Sequence, residues 1–371
     1  MPGTYTLHGA DACATPSLVY YRDIIRANTE KVIALAGGPG RLWPHVKTHK
    51  SVELVRMQQR LGISRFKCAT IAEAEMLAQC EAEHVLVAYP LVGTAITRFV
   101  RLAATYPLTR FWAIGDSLEP LRQLSGQSSL AGIQTPLLLD LDVGMHRTGV
   151  APDRAEALYE QCAALNDLHV QGFHCYDGHL HQNSPQEREA GVQSWLAILE
   201  SLEKSLKQRG FQTSVRVLGG SPTFPCLART ATGFLSPGTV FLWDYGYASH
   251  FPDIELTPGA ALLARVISRP ESPTAEGLFT LDLGYKAIGA DPTGVRGVIV
   301  GMEDAEPIAH SEEHWLFKAG TMPAPAVGTL VYVIPTHICP TSALHASVLV
   351  AEEGHIVNSW KVTARSRKLS I

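Results

Sequence analysis

Short apolar runs alternate with longer segments of helical period over the first two thirds of the chain. The runs predict strands at 15–20, 41–46, 66–69, 84–88, 110–114, 135–143, 170–176, 213–218 and 231–242. Between them, apolar residues three or four positions apart predict helices at 21–36, 51–61, 71–80, 93–106, 117–124, 152–165, 185–209 and 223–229. Roughly eight strand–helix units over about 230 residues are typical of a (β/α)8 barrel rather than an open sheet.

The pattern changes after about residue 250. Strand-like stretches follow one another without long helices, at 261–268, 278–283, 295–301, 313–318, 329–334, 347–350 and 356–362. The fold class is therefore α/β, a barrel followed by a smaller all-β domain. We predict the barrel in 16–250 and the β domain in 251–371, which residues 1–15 join.

Composition narrows the class of protein. The 371 residues carry a net charge of −4, with 46% hydrophobic and 18% charged residues and no block of like charges. This balance provides neither a basic surface for nucleic acid nor a polybasic membrane anchor. The beginning of the sequence does not resemble a signal peptide, and no apolar run reaches about 18 residues. Seven scattered cysteines without CxxC spacing favour the reducing cytoplasm.

The first candidate for chemistry is Lys47, in Trp43-Pro-His-Val-Lys-Thr-His-Lys50. It follows a predicted strand, and barrel enzymes place their chemistry at the carboxyl ends of strands. A desolvated lysine there can form a Schiff base. His45 and His49 would share its face if the segment is extended. The alternative is a solvated basic turn.

Two loops after later strands also carry polar groups. One is Asp142-Val-Gly-Met-His-Arg-Thr-Gly149, and the other is Gly172-Phe-His-Cys-Tyr-Asp-Gly-His-Leu-His181. His179 and His181 could act as acid–base groups or as metal ligands. The alternatives are a tight turn with a solvated Arg147 and a long loop with surface histidines.

Glycines followed by hydroxyl residues indicate an anion site. They occur in Leu218-Gly-Gly-Ser-Pro-Thr223 and in Ser236-Pro-Gly-Thr239. Two such loops after late strands match the usual phosphate position of barrels, although each alone could be a plain turn. The nucleotide motifs GxGxxG after a strand and GxxxxGK[ST] are absent.

The β domain contributes Ile334-Pro-Thr-His-Ile-Cys-Pro-Thr341. Imidazole and thiolate, here from His337 and Cys339, together suit Zn²⁺. Two protein ligands leave positions for water or substrate. The alternative is a buried cysteine beside a capping histidine.

Together, these stretches resemble the D-threonine aldolase and D-serine dehydratase family, within the alanine racemase-like fold of pyridoxal phosphate enzymes. The resemblance rests on 44–50, 142–149, 176–179, 219–223 and 337–341, which occur in the family's order. It implies a homodimeric enzyme that acts on a small D-amino acid, with pyridoxal 5'-phosphate and a divalent metal, Zn or Mn.

The resemblance also implies roles for individual residues. Lys47 would bind the cofactor covalently, and Arg147 and Tyr176 would lie beside it. The phosphate would be held by Gly219, Gly220 and Ser221, with Gly238 and Thr239. His337 and Cys339 would bind the metal.

Two reactions are compatible with this set. Dehydration yields a keto acid and ammonia, with Lys47 as the base at Cα. Retro-aldol cleavage yields glycine and an aldehyde, with His179 or His181 as the base. Aldolases of the family pair His with Asp at the metal, whereas its dehydratases pair His with Cys, as this chain does; dehydration is therefore modestly favoured. A racemase without metal chemistry and a non-catalytic cofactor carrier remain alternatives.

Overall fold

Two sheets organise the chain, one parallel and one mainly antiparallel. The computed structural model describes residues 5–271, 274–368 and 370–371. Its strands are β1 (Ser17–Tyr21), β2 (Arg65–Cys68), β3 (His84–Val87), β4 (Arg110–Gly115), β5 (Thr135–Leu141), β6 (Leu168–Cys175), β7 (Val215–Leu218), β8 (Phe234–Leu235), β9 (Ala260–Ser268), β10 (Leu278–Leu281), β11 (Gly297–Ile299), β12 (Glu306–His310), β13 (Trp315–Lys318), β14 (Leu330–Pro335), β15 (Ser347–Glu352) and β16 (His355–Lys361).

The helices connect these strands. They are α1 (Arg22–Ala36), α2 (Val52–Arg60), α3 (Ile71–Gln79), α4 (Thr94–Thr105), α5 (Leu118–Ala131), α6 (Pro152–Ala163), α7 (Pro185–Gln208), α8 (Phe224–Thr230), α9 (Tyr245–His250) and α10 (Ile338–Leu344). Across the described residues, no helix combines the length and the apolar character that a bilayer crossing needs.

The chain divides into two units. The barrel unit contains the described residues of 31–47, 54–238 and 366–371, and the β unit contains those of 1–30, 48–53 and 239–365.

The barrel unit is built on β2 to β8, which are parallel and pair in chain order. Each residue of β5 is buried, as expected for a strand that helices cover on one side and the barrel interior on the other. Because the strands are parallel, their carboxyl ends meet at one edge, where the loops of a barrel carry its chemistry.

Residues 42–45 close this sheet into a ring. The N–H of Trp43 donates to Leu235 O (2.8 Å) in β8, and the N–H of Lys67 in β2 donates to Pro44 O (2.7 Å). Parallel bridges join Leu42 to Leu235 and His45 to Lys67. Pro44 has no N–H to donate, so this first barrel strand is reduced to isolated bridges. The predicted barrel architecture is confirmed, and so is the separate β domain.

An apolar cluster packs within the ring. Its buried members come from strands around the barrel and are Trp43, Leu86, Trp112, Ile114, Leu138 and Val217. The rings of Trp43 and Trp112 meet edge to face with centroids 5.5 Å apart, a favourable aromatic geometry. The barrel interior is therefore a packed core rather than a channel.

The β unit differs from the sequence-based expectation at its beginning. The strand expected at 15–20 is β1, but it pairs with β9 antiparallel and with β15 parallel, and so belongs to the second sheet. Leu18 to Tyr21 are all buried, and β1 has a neighbouring strand on each edge. The barrel therefore does not begin with the strand at residue 16. The boundary near residue 250 stays a prediction.

We predict that Gly172→Ala strongly destabilises the protein. Gly172 has a φ of +151° at a register shift in β6, and an added Cβ would lie 1.9 Å from Val215 O. Backbone strain and overlap together should lower the free energy of unfolding by about 2–4 kcal/mol. Urea unfolding measures this loss.

The matched control is Gly126→Ala. Gly126 lies within α5, and an added Cβ would have no atom within 4 Å. The substitution should leave stability unchanged or raise it by about 0.5–1 kcal/mol. Equal unfolding midpoints for the two variants would contradict the assignment of strain to Gly172.

Candidate cofactor and metal sites

Lys47 lies just after the segment that closes the barrel. The last barrel pairing before it is at His45, and a 3-10 turn spans Val46–Thr48. Its backbone N–H lies 3.3 Å from His45 Nδ1, and its side chain is half-buried. Because His45 pairs in parallel with β2, Lys47 lies at the carboxyl edge of the ring.

The two histidines that flank Lys47, His45 and His49, do not share a face with it. The turn at 46–48 ends the extended geometry in which alternate residues share a face. His49 is fully buried and accepts the N–H of Ser51 at Nδ1 (3.1 Å). Burial, together with the charge of Lys50, lowers the pKa of His49 to about 3. His49 is therefore a neutral, structural imidazole.

Three basic side chains lie around the ring of Tyr176, which follows β6. Lys47 Nζ lies 5.9 Å from the ring centroid, Lys67 Nζ 5.8 Å, and the guanidinium carbon of Arg147 4.8 Å. At these distances cations are attracted to an aromatic ring. The barrel unit thus brings together Lys47, Arg147 and Tyr176, which the sequence singled out separately.

Lys67 was missed by sequence reasoning. It lies near the end of β2 and is only 2% exposed. Burial and the neighbouring Lys47 lower the pKa of Lys67 to about 7, although Asp140 and Asp177 favour its charged form. A lysine inside the otherwise apolar run 66–69 was the signal that could have found it.

A buried Asp–His pair lies on neighbouring strands. Asp140 Oδ1 is 2.7 Å from His174 Nδ1, and Thr148 donates its hydroxyl to Asp140 Oδ2 (2.7 Å). Burial lowers the pKa of His174 in spite of the carboxylate. Its Nε2 is buried and has no hydrogen-bond partner among the described residues. Buried polar atoms are seldom left unpaired, so this nitrogen is available to a water molecule or a ligand.

The loop from 142 to 149 is held by its own first residue. Asp142 Oδ1 accepts the N–H groups of Gly144 and His146, both at 3.0 Å. These bonds lower the pKa of the Asp142 carboxyl, although burial opposes the shift. Arg147 itself is exposed. The loop holds the backbone of Arg147, and its guanidinium lies over the ring of Tyr176.

The glycine loop after β7 packs closely on Tyr176. Gly219 has a φ of +74°, and a Cβ there would lie 2.2 Å from Leu227 Cδ1. A Cβ at Gly220 would lie 3.1 Å from Tyr176 Cε2. The N–H of Gly238 donates to Ser221 Oγ (3.2 Å), which joins the two predicted anion loops.

Asp177, which follows β6 in the chain, supports this loop. Its Oδ1 accepts the hydroxyl of Thr223 (2.9 Å), and burial raises its pKa to about 6. Its Oδ2 is buried and lacks a hydrogen-bond partner within the described part of the chain. Sequence reasoning placed this aspartate in a candidate stretch but assigned it no role.

The two candidate base histidines occupy different environments. His179 is half-buried, and its Nε2 would lie 2.9 Å from a Cβ at Gly144. Burial lowers its pKa. His181 is exposed.

In the β unit, a histidine, a cysteine and an aspartate lie close to two threonine hydroxyls. His337 Nδ1 lies 2.5 Å from Asp291 Oδ2, and Cys339 Sγ lies 3.3 Å from Thr48 Oγ1 and 3.5 Å from Thr239 Oγ1. Thr239 thus lies beside the thiol, whereas the sequence suggested a phosphate contact for it.

His337 and Cys339 shift the pKa values of one another in opposite directions. Burial alone raises the pKa of the Cys339 thiol, but His337, with help from Thr48, lowers it below its ordinary value. Burial alone lowers the pKa of His337, but Cys339 and Asp291 raise it to about 9.

The residues present fit both groups that the resemblance implies. For pyridoxal phosphate, the barrel unit offers a lysine, a tight glycine loop and the unpaired His174 Nε2. For a metal, the β unit offers a thiolate and an imidazole oriented by a carboxylate, as metal-binding histidines usually are. The described residues contain no group of three or more His, Cys, Asp or Glu side chains that could hold a metal.

Comparison with known proteins identifies the family. The sequence model of the alanine racemase N-terminal domain matches residues 21–245, and that of a putative serine dehydratase domain matches 259–351. A D-threonine aldolase of Arthrobacter sp is 27% identical over 363 residues, which cover 95% of this chain and 92% of that protein.

Solved structures agree with this match. The D-threonine aldolase of Filomicrobium marinum covers 99% of both chains with a TM-score of 0.89 and 25% identity. A metal-free cysteine-to-alanine mutant of a D-threo-3-hydroxyaspartate dehydratase covers 95% of this chain and 98% of its own, with a TM-score of 0.81 and 20% identity. The chain therefore belongs to the D-threonine aldolase and D-serine dehydratase family of the alanine racemase-like fold, and it is a pyridoxal phosphate-dependent lyase.

Proposed function

We propose that this lyase dehydrates D-β-hydroxy-α-amino acids of the D-serine or D-3-hydroxyaspartate type to a keto acid and ammonia, with the help of a divalent metal. The observation that carries the proposal is the His337–Cys339 pair, in which a half-buried thiol with a lowered pKa lies beside an imidazole. The resemblance further implies a homodimer, and the scattered cysteines favour the cytoplasm; we keep both as part of the proposal.

The barrel unit would hold the cofactor. Lys47 would bind it covalently, Arg147 and Tyr176 would lie beside it, and Gly219 to Ser221 with Gly238 would hold its phosphate. When bound, pyridoxal phosphate supplies an electron sink for the α-carbon of the substrate. Lys47 is the proposed base for the α-proton. Thr239 is better placed to position Cys339 than to hold the phosphate, since its hydroxyl lies 3.5 Å from Sγ.

The β unit would hold the metal. A divalent ion at His337 and Cys339 supplies Lewis acidity toward the β-hydroxyl of the substrate. A thiolate ligand favours Zn²⁺ over Mn²⁺. Asp291 holds Nδ1 of His337 and thereby leaves Nε2 as the ligand atom. The dehydratase mutant that lacks a cysteine and is metal-free supports a cysteine ligand in this branch.

Retro-aldol cleavage is the second candidate. It is favoured by the likeness of the whole chain to two D-threonine aldolases. In that reaction a base takes the proton of the β-hydroxyl, and His179 is the better candidate because it is half-buried and burial lowers its pKa, which favours the neutral form that a base needs. His181, which is exposed, is the other candidate.

We predict which products form. The purified enzyme, supplied with pyridoxal phosphate and Zn²⁺, should convert D-serine or D-3-hydroxyaspartate to keto acid and ammonia, and chelation should abolish this activity. Coupled assays for keto acid, glycine and aldehyde measure the outcome, with L-serine as the control substrate. If D-threonine yields glycine and an aldehyde without keto acid, the enzyme is an aldolase and the proposed dehydration is wrong.

We also predict that Cys339→Ala loses bound metal and at least about 100-fold in kcat/KM. Elemental analysis measures the metal, and circular dichroism checks the fold. Cys13→Ala is the matched control, because Cys13 is a half-buried free cysteine of the same unit. Cys339→Asp, which creates the His–Asp pair of the aldolases, should restore metal and increase glycine formation. Full metal content in Cys339→Ala would exclude the thiolate as a ligand.

A further inference from the structure

Lys67 has no role in the reaction proposed above, although it is buried among the cofactor residues. Its Nζ is as near to the Tyr176 ring as that of Lys47, at 5.8 and 5.9 Å from the centroid. It extends from β2, which pairs directly with the segment that precedes Lys47. Burial of a lysine is unfavourable unless its charge is compensated or its proton is lost. We therefore expect a role of Lys67 in ligand binding.

The ligands of the barrel unit are anions. Pyridoxal phosphate carries a phosphate and a phenolic oxygen, and an amino-acid substrate carries a carboxylate. Arg147 has a permanent charge, and Lys47 would be engaged in covalent attachment. Lys67 is the remaining basic side chain around Tyr176 within the described residues.

We propose that Lys67 is the charge-compensating residue of the cofactor site, a buried amine that takes up a proton when an anionic group of the cofactor or of the substrate binds beside Tyr176. The step is simple in its balance, since one –NH₂ group and one proton from solution become –NH₃⁺. It would let one pocket accept ligands of different charge without an unpaired cation in the ligand-free protein.

Several charged or titratable groups influence this amine. They are Lys47, Asp140, Arg147, His174, Tyr176 and Asp177. Asp140 and Asp177 favour the ammonium form, and Lys47 and Arg147 oppose it. An added anion joins the first group and shifts the balance toward the ammonium form.

The direction of the pH effect follows. Without ligand, burial and Lys47 hold the pKa of Lys67 at about 7. Well below pH 7 the amine is already charged, so anion binding needs no proton. Above pH 7 binding must take up a proton, and the affinity for the anion falls by up to about tenfold per pH unit from this group.

The test is the pH dependence of binding in full-length variants. Cofactor-free enzyme is titrated with pyridoxal phosphate between pH 6 and 9, followed by the absorbance of the bound cofactor. Lys67→Met should bind about tenfold more weakly at pH 6.5 and with a pH slope smaller by up to one proton. Lys67→Arg should keep the affinity but show the reduced slope. Lys204→Met, on the exposed face of α7, should match the unaltered enzyme.

A second arm separates the two sources of the anion. The cofactor-loaded enzyme is titrated with D-alanine, which has a carboxylate but no β-hydroxyl to lose. If the pH slope of pyridoxal phosphate affinity differs between the unaltered enzyme and Lys67→Arg, the anion belongs to the cofactor. If only the pH slope of D-alanine affinity differs between them, the anion belongs to the substrate.

Equal slopes for the unaltered enzyme and Lys67→Arg in both arms would overturn the proposal, even if Lys67→Met does not fold. A merely structural lysine would change stability and leave the slopes equal. The inference rests on cofactor binding by the barrel unit and not on which bond is broken. Because neither arm measures a product, it can fail or succeed independently of the proposed dehydration.

Discussion

The parallel pairing of residues 42–45 with both β8 and β2 is the constraint on which the barrel unit depends. It joins the two ends of an otherwise open sheet, and Trp43 secures it by donating its indole N–H to Phe66 O (2.7 Å). The same pairing sets the positions of the chemical groups. His45 is bridged to Lys67 and donates its N–H to Pro237 O (2.9 Å). One short segment therefore positions Lys47, Lys67 and the loop that contains Gly238.

Much of this arrangement could be predicted from the sequence. The continuous apolar run of β5 and the helix periods that follow each strand depend on local pattern, and the pattern was sufficient for the barrel. The loops that contain Arg147, Tyr176 and Gly219 were also found, because polar and glycine residues follow apolar strands there.

The remaining features depend on pairing between distant residues. The pattern predicted β1 as a strand but could not reveal that its partners are β9 and β15. Lys67 was missed because a single charge in a strand is usually exposed, and only the ring closure shows that this one points inward. The short helix α10 was also missed, since seven residues give too little periodicity to separate a helix from a loop.

The two units supply different kinds of chemistry. The barrel unit supplies cations and buried carboxylates around an aromatic ring, which suits a large anionic cofactor. The β unit supplies a thiol whose pKa is lowered by an imidazole and two hydroxyls, which suits the divalent metal of the proposed function. Replacement of His337 or Cys339 would alter that proposed metal site while leaving the proposed cofactor residues unchanged.

Asp140 also determines whether Nε2 of His174 donates or accepts a hydrogen bond. Because the carboxylate accepts the proton of Nδ1, the neutral imidazole carries its free electron pair on Nε2. A group that meets this nitrogen must therefore offer a hydrogen, as a hydroxyl or a protonated ring nitrogen does. Thr148 donates its hydroxyl to the other oxygen of the same carboxylate. A change in the loop at 142–149 would therefore also affect which nitrogen of His174 carries the proton.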